Sequence, residues 1–291
     1  MIESPHMNLS MSGELAIAYK SGAQAARVVT EAWGAVNLYC PNCYSPKLDT
    51  LMNNTKASDY ECPACSFRYQ LKSQQARIGN QINDGAFTAM MEAIRKDETP
   101  NFYFMQYELA TWSVRNLLLI PSFAFPESAI IKRKPLAQTA RRAGWVGCNI
   151  ALHRIPADAR IAVVSECNVL PATLVRAQFQ RVKPLAEIKA SARGWTLDVL
   201  NAIRRLGKTE FSTSDAYAIE REMEQLHPDN RHVRDKIRQQ LQVLRDRGLL
   251  LHTGRNRWRW QHQRARHPDH EPDLNLKTAK QEAQGEQKSL F

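Results

Sequence analysis

The sequence predicts an α/β (α+β) fold in two domains, a mixed helix-and-strand domain over residues 8–182 and a winged-helix domain over residues 190–261. Three observations support this prediction. Helical and β-strand spacings of apolar residues are interleaved in the first region, whereas helical spacing followed by a hairpin pattern dominates the second. Two matched cysteine pairs lie within the first region. A chain of 291 residues with 43% hydrophobic residues can bury a proper core and has room for two ordinary domains or one large one.

The first domain is predicted to contain two helices and three short strands. Ala25, Val29 and Ala32 recur near helical spacing, which predicts a helix over residues 21–33. A second helix is expected over residues 85–94, because an Asp-Glu-Thr-Pro turn follows that segment. Runs rich in aromatic and β-branched residues predict strands at residues 102–107, 116–120 and 161–165.

The second domain is predicted to follow a linker around residues 183–191. Helices are expected at residues 195–206, 215–226 and 230–248. Asn230 is the expected N-cap of the last helix, and Gly248 is the residue type that commonly follows a helix end. Residues 249–260 have the pattern of a β-hairpin with a basic tip.

Three helices followed by a hairpin is the order of a winged helix, a DNA-binding variant of the helix-turn-helix. The last helix supports this interpretation, because its apolar residues form one stripe. The stripe consists of Val233, Ile237, Leu241 and Leu244. An ordinary helical appendage is the alternative. Residues after 261 are polar and are expected to be disordered.

The charge distribution points to a polyanionic partner. Lys and Arg number 40 against 29 Asp and Glu, which gives a net charge of +11. A solvated basic surface could account for this, but basic residues concentrate in residues 128–157 and 231–260, which favours nucleic acid. The candidate DNA-binding residues are Lys132, Lys134, Arg141, Arg142, Arg234, Arg238, Arg255 and Arg257. No apolar run long enough to span a membrane and no secretory signal are evident, so a cytoplasmic protein is expected.

Four of the six cysteines form two CxxC pairs with eighteen residues between them, Cys40 with Cys43 and Cys62 with Cys65. This spacing predicts a structural zinc site with four thiolate ligands. A redox CxxC motif and buried thiols are the alternatives, although a redox motif needs no second pair. Cys148 and Cys167 lack such a pattern and are expected to be buried small residues.

Asp59, Gln70 and Lys72 flank the second cysteine pair. If this pair forms the turn of a hairpin, Asp59 is expected opposite Lys72, within one residue, and Gln70 on the same face as Lys72. A carboxylate and an amide oxygen can hold Mg²⁺ against a phosphodiester, and a lysine can orient the attacking water. A surface salt bridge between Asp59 and Lys72 is the alternative.

Several long sequence blocks resemble the DpnI, or Dam-replacing, family of methylation-dependent restriction endonucleases, over about residues 9–260. The blocks are AYKSGAQAARVVTEAW, CPNC with CPAC, QLKS, INDGAF, KRKPLAQTARRAGWVGCNI, ARGWTLDVLNAI and KIRQQLQVLRDRGLL. The resemblance implies a PD-(D/E)xK nuclease domain with an embedded zinc site, joined to a winged helix. It also implies Mg²⁺-dependent double-strand cleavage at GATC sites that carry N6-methyladenine, which is a type II site-specific deoxyribonuclease activity.

Carried over by position, Asp59 is the metal-binding carboxylate, Lys72 is the catalytic lysine, and the four paired cysteines are the zinc ligands. Trp145 falls where the family packs an aromatic ring against the methylated adenine. Without the resemblance, core filling would be the preferred role for this tryptophan.

Gln70 departs from the family, which normally has Glu at this position. The amide is neutral, so weaker Mg²⁺ binding is expected. Glu31 and Asp84 are candidates for an additional metal or water ligand. If neither lies near Asp59, an uncleaving reader of methylated DNA, either a regulator or a degenerate nuclease, becomes the main alternative.

The last five residues resemble the short peptide with which replication proteins bind the bacterial sliding clamp. Gln287 would make a polar contact, and Leu290 and Phe291 would fill an apolar pocket. A chance match is the alternative for so short a motif. If the motif is used, a nuclease in DNA repair or replication is a third interpretation. A monomer is expected.

Overall fold

The computed structural model describes residues 7–52 and 58–261, and the described residues up to Trp260 form one compact unit. The helices are α1 (Gly22–Asn37), α2 (Phe87–Arg95), α3 (Ala172–Val182), α4 (Ala190–Arg204), α5 (Thr213–Ala216), α6 (Glu220–Leu226) and α7 (Val233–Asp246). The strands are β1 (Asp49–Thr50), β2 (Tyr60–Glu61), β3 (Arg68–Gln74), β4 (Gln81–Ala86), β5 (Asn101–Glu108), β6 (Ser113–Ile120), β7 (Ile130–Lys132), β8 (Gly147–Ala151), β9 (Ile161–Ser165), β10 (Asn168–Val169), β11 (Glu210–Ser212), β12 (Leu250–Gly254) and β13 (Arg257–Trp260). Within these residues, no helix is both long enough and apolar enough to cross a membrane.

A seven-stranded mixed sheet in the order β1-β2-β3-β5-β6-β9-β10 forms the centre of the first region. β3 and β5 are parallel, and the other neighbouring strands are antiparallel. Residues 101–107 of β5 are all buried, as expected for a central strand covered on both faces. α1 packs against β3, where the hydroxyl oxygens of Thr30 and Ser73 lie 3.1 Å apart.

A second, three-stranded antiparallel sheet in the order β4-β8-β7 packs beside α2. Ile82 and Ile150 are register partners in β4 and β8, and both are buried. The residues between β7 and β8 form a long basic loop. The three-stranded sheet therefore supports both α2 and the basic loop between β7 and β8.

The C-terminal helices and the sheet β11-β13-β12 have the element order of a winged helix. All four residues of the predicted stripe on α7 are buried, which confirms the amphipathic pattern. Trp258 and Trp260 of β13 are buried as well. β12 and β13 form the predicted hairpin, and β11 adds a third strand that the sequence pattern did not indicate.

Polar side chains join α4 to the first region. Asp158, whose side chain is 2% exposed, forms ion pairs with Arg204 of α4 at 2.6 Å and with Arg181 of α3. The Arg204 guanidinium also lies 3.6 Å from the centre of the Trp260 indole ring. The guanidinium of Arg193, which is buried, pairs with Asp97. These contacts fix α4 against the first region.

The predicted strands are confirmed, and β9 has the predicted bounds, whereas several helix boundaries were wrong. Gly85 belongs to β4 rather than to α2, because β4 continues pairing with β8 until Ala86. The linker around residues 183–191 is short, since a 3₁₀ turn covers Lys183–Glu187 and α4 begins at Ala190 instead of residue 195.

The helix predicted over residues 215–226 is divided into α5 and α6. α5 begins earlier because Ser212 and Asp215 form a capping box, in which each side chain accepts a backbone N–H of the other. Asn230 is not the N-cap of α7. Its side chain instead accepts the N–H of His232 at 2.8 Å, and the helix starts at Val233. Gly248 has a φ of 71°, which confirms its role after the helix end.

Candidate functional site

The two CxxC pairs meet at one point. The Sγ atoms of the four predicted cysteines all lie within 4.8 Å of one another. Cys40 and Cys65 are separated by 3.6 Å, and Cys43 and Cys62 by 3.5 Å. Tetrahedral zinc with Zn–S bonds of about 2.3 Å separates its sulfur ligands by roughly 3.8 Å. The cluster is therefore compatible with structural zinc.

The surrounding peptide shifts the pKa values of two of these thiols in opposite directions. Burial opposes the ionisation of Cys62, but the N–H groups of Ala64 and Cys65 point to its sulfur and lower its pKa to about 7. Burial raises the pKa of Cys40, whose sulfur lies 3.1 Å from the Tyr69 hydroxyl. A metal ion would replace these protons, since thiolates are the zinc-binding form.

α3 holds the first cysteine pair in place. The Arg176 guanidinium donates to the carbonyl oxygens of Cys40 and Ser45, at 3.3 and 3.4 Å, and lies over the rings of Tyr39 and Tyr44. Arg176 lies more than 130 residues from these partners in the sequence, so no local motif indicates the contact.

Cys148 is buried, as predicted, but Cys167 is exposed, so that prediction was wrong. Cys167 lies in the turn between β9 and β10, with a φ of 65°. A turn residue between two short antiparallel strands faces solvent, and this location overrides the usual preference of cysteine for burial.

A cleft of about 420 Å³ lies beside this centre, between α1 and the edge of the seven-stranded sheet. It brings together the three residues predicted for catalysis, Asp59, Gln70 and Lys72. Glu31 of α1 lines the same cleft, together with Arg27 and Ser73. The acid, the amide and the lysine, which the sequence predicted would converge on one patch of the sheet, thus line one cleft.

The predicted register between Asp59 and Lys72 was wrong by two residues. Tyr60 pairs with Tyr69 and Glu61 with Arg68, and continuing this register one residue beyond β2 places Asp59 opposite Gln70. The turn closes through the Cys62 N–H and the Phe67 carbonyl oxygen, at 2.9 Å, so its centre lies one residue earlier than predicted. Asp59 and Lys72 still line the same cleft. Gln70 and Lys72 face the same side, because side chains alternate along a strand.

Asp59 is fixed at the start of the hairpin. Its Oδ2 accepts the N–H of Leu71 at 2.8 Å, and its own N–H donates to the Tyr69 carbonyl oxygen at 2.9 Å. Burial raises the pKa of Asp59, and the nearby charge of Glu31 raises it further, while the Leu71 N–H and the cations Lys72 and Arg27 oppose the rise. A further cation in the cleft would favour the ionised form.

The two candidate additional acids have different positions. Glu31 lies in the cleft, 29% exposed, with one oxygen 2.6 Å from Nε of Arg27. Asp84 of β4 does not line this cleft. Its Oδ1 lies 2.7 Å from Nζ of Lys72, and its side chain is only 7% exposed. The oxygen donors that line the cleft, Asp59, Gln70 and Glu31, are of the type that Mg²⁺ binds in proteins.

Trp145 lies in the basic loop between β7 and β8 and is half-buried, so it does not fill the core. The Arg142 guanidinium lies 4.6 Å from the centre of its ring. A Cβ atom added to Gly147 would lie 2.8 Å from the ring, so glycine is required for this close approach. Arg141 and Lys134 of the same loop are exposed, and Lys132 lies 5.6 Å over the Phe87 ring.

The predicted DNA-binding residues of the C-terminal region lie on one helix and one hairpin. Arg234 and Arg238 are exposed on α7, and Arg255 and Arg257 are exposed at the tip of the hairpin. Arg234 is paired with Glu220 at 2.8 Å and lies over the Tyr217 ring. The predicted clamp-binding residues, Gln287, Leu290 and Phe291, lie outside the described residues.

The fold, the cysteine cluster and the exposed basic surfaces define a DNA-binding protein with an α/β domain and a C-terminal helix-turn-helix domain. A family model described as DpnI, the Dam-replacing family, matches residues 7–188. A second model, described as the Dam-replacing HTH domain, matches residues 191–260. The chain therefore belongs to the DpnI family, as the sequence blocks predicted. Family membership implies a restriction endonuclease that binds DNA.

Proposed function

We propose that this protein is a Mg²⁺-dependent type II restriction endonuclease that cuts both strands of DNA at GATC sites carrying N6-methyladenine. The observation that supports this most directly is the cleft in which Asp59, Gln70 and Lys72 meet in a member of the DpnI family. Residues 8–182 would form a PD-(D/E)xK nuclease domain, and residues 190–261 would form a winged-helix domain. The protein would act as a monomer in the cytoplasm.

Each residue of the cleft has a separate proposed role. Bound Mg²⁺ would polarise the scissile phosphodiester and lower the pKa of the attacking water. Asp59 and Gln70 would hold the metal through oxygen atoms, and Glu31 would supply a further carboxylate. Lys72 would orient the water and offset the charge that develops on the phosphate.

The zinc centre has a structural role in this proposal. Cys40, Cys43, Cys62 and Cys65 leave no ligand position open, which is typical of structural rather than catalytic zinc. Cys62 and Cys65 lie in the turn that joins β2 to β3. Zinc would therefore maintain the hairpin that presents Asp59 and Gln70.

Recognition of the methylated base is assigned to Trp145 and the basic residues around it. A flat ring packed against glycine can bury a methyl group that water would otherwise surround. Phosphate contacts would come from Lys132, Lys134, Arg141 and Arg142 in the first domain. In the second domain they would come from Arg234, Arg238, Arg255 and Arg257, and this charge predicts binding that weakens steeply with salt.

The neutral Gln70 favours a second candidate function, a reader of methylated DNA that does not cleave. An amide binds Mg²⁺ more weakly than a carboxylate does. Such a protein would keep the DNA-binding surfaces and the zinc centre. A role in repair or replication, with the tail binding the sliding clamp, rests on the sequence of the last five residues alone.

One plasmid, prepared with and without adenine methylation at GATC, tests these proposals. Discrete fragments are expected only from the methylated plasmid and only when Mg²⁺ is supplied. Withholding Mg²⁺ is preferable to adding a chelator, because a chelator would also remove zinc. Asp59→Asn should abolish cutting and retain DNA binding, whereas the matched control Asp49→Asn, at an exposed position of β1, should cut normally. A wild-type protein that binds methylated DNA in gel shifts but leaves both plasmids intact would support the reader.

A further inference from the structure

Lys72 has a carboxylate partner from a different sheet. Lys72 lies on β3 of the seven-stranded sheet, whereas Asp84 lies on β4 of the three-stranded sheet. The Lys72 Nζ and Asp84 Oδ1 atoms are 2.7 Å apart, and the two side chains are 27% and 7% exposed. A pair this shielded from solvent is screened less by salt than a surface pair, so its attraction holds the two side chains together more strongly.

The backbone of Asp84 is firmly held. Asp84 is the register partner of Cys148 in β8, and the Cys148 thiol donates to the Gly85 carbonyl oxygen at 3.5 Å. The pairing shifts by one residue between Asp84 and Ala86, a β-bulge that redirects side chains locally. A nearly buried carboxylate on such a strand pair has few alternative positions.

Lys72 needs such a partner because lysine is flexible. Its four-carbon stem has many rotamers, and this conformational freedom must be lost when the ammonium group is fixed. Gln70, two residues earlier on the same face, is neutral and offers no charge to hold it. Asp59 already accepts the Leu71 N–H. Asp84 supplies the carboxylate that is in direct contact with Lys72.

The strand pair that holds Asp84 also leads into the loop that presents Trp145. β8 begins at Gly147, directly under the indole ring. The Arg133 N–H donates to the Gly147 carbonyl oxygen at 2.9 Å, and the Phe87 N–H donates to the Val146 carbonyl oxygen at 3.1 Å. The base of the loop and the anchor of Lys72 thus belong to one hydrogen-bonded element.

We propose that Asp84 is a positioning residue that holds the Lys72 ammonium group at the cleavage site, on the same strand pair that supports the Trp145 loop. This role rests on the proposed nuclease function. It differs from a metal-binding role, because Asp84 contacts the lysine and does not line the cleft that holds Asp59.

Single-turnover cleavage of a methylated duplex, with enzyme in increasing excess, tests the proposal. Asp84→Asn should lower the plateau rate by about tenfold to a hundredfold, since small misplacements of a catalytic group have effects of this size. The enzyme concentration at half-saturation and the gel-shift affinity should stay within about twofold. Asp84→Glu keeps the charge but moves it by one methylene group. Its plateau rate should therefore lie between those of the wild type and Asp84→Asn. Glu92→Gln is the matched control, because it removes the carboxylate of an exposed pair with Lys96 on α2.

The plateau rate distinguishes positioning from a merely structural role. A smaller folded fraction raises the enzyme concentration needed for saturation but leaves the plateau unchanged. Wild-type plateaus in both Asp84 variants would overturn the inference while the nuclease function stands. A wild-type protein that does not cleave would overturn the proposed function, and with it a positioning role in cleavage.

Discussion

Replacing Asp158 with asparagine is expected to lower the free energy of unfolding by about 2–3 kcal/mol at pH 7. The carboxylate, 2% exposed, is paired with Arg204 and Arg181. Removing one partner of a buried charge pair costs roughly 3–5 kcal/mol. A loss at or below the bottom of this range is expected because Arg181 is 36% exposed and Arg204 is 19% exposed, so water can solvate part of the released charge.

Thermal unfolding followed by circular dichroism measures this effect. For a unit of this size, each kcal/mol shifts the midpoint by roughly 2–4 °C, so a decrease of about 4–12 °C is expected. Asp246→Asn is the matched control, because Asp246 is 62% exposed and pairs only with its neighbour Arg245 among the ion pairs described, and its midpoint should hardly move. An Asp158→Asn midpoint within 1 °C of the wild type would refute the reasoning.

The same carboxylate predicts a pH dependence. Burial alone would raise the pKa of Asp158, but Arg204 and Arg181 outweigh burial and lower it from the ordinary value of 3.8. A lowered folded-state pKa contributes stability that is complete above pH 3.8 and is lost as the pH falls below it. The difference in stability between wild type and Asp158→Asn should therefore shrink in acid, and urea titrations from pH 7 downward would show it.

Three further predictions follow from the candidate sites. Gln70→Glu should lower the Mg²⁺ concentration for half-maximal cleavage by about tenfold, equivalent to roughly 1.4 kcal/mol; an unchanged Mg²⁺ titration would exclude Gln70 as a ligand. Removing zinc with a thiol-compatible chelator should lower the unfolding midpoint by at least about 5 °C, because metal binding is coupled to folding; purified protein without bound zinc would contradict this. Trp145→Ala should reduce the preference for methylated over unmethylated duplex in gel shifts by about fourfold per buried methyl group, and an unaltered preference would place recognition elsewhere.

Local patterns predicted the elements whose side chains follow a regular period. The α7 stripe of Val233, Ile237, Leu241 and Leu244 is buried, because helical periodicity directly specifies which face packs. The sequence predicted strands β5 and β9 because their runs of aromatic and β-branched residues are continuous. The cysteine spacing also predicted the cluster, since four thiols at this spacing have few other arrangements.

Tertiary arrangement decided the features that the sequence did not predict. The register of Asp59 depended on the hydrogen bond that closes the turn at Cys62 and Phe67, and a difference of one residue in the turn centre shifts the partner by two. The contact between Lys72 and Asp84 joins two separate sheets, so no sequence period relates them. Glu31 was a candidate for an additional ligand, but only the packing of α1 beside β3 places it in the cleft.

Under the proposed function, the cysteine cluster makes DNA cleavage depend on the supply of zinc. β2 contains only two residues, so the turn that carries Cys62 and Cys65 helps to keep Asp59 beside β3. The C-terminal helices and the hairpin contain none of the four clustered cysteines. Under the proposed function, chains made without zinc would bind DNA through α7 and the hairpin without cutting it. They would compete with the zinc-bound protein for the same DNA.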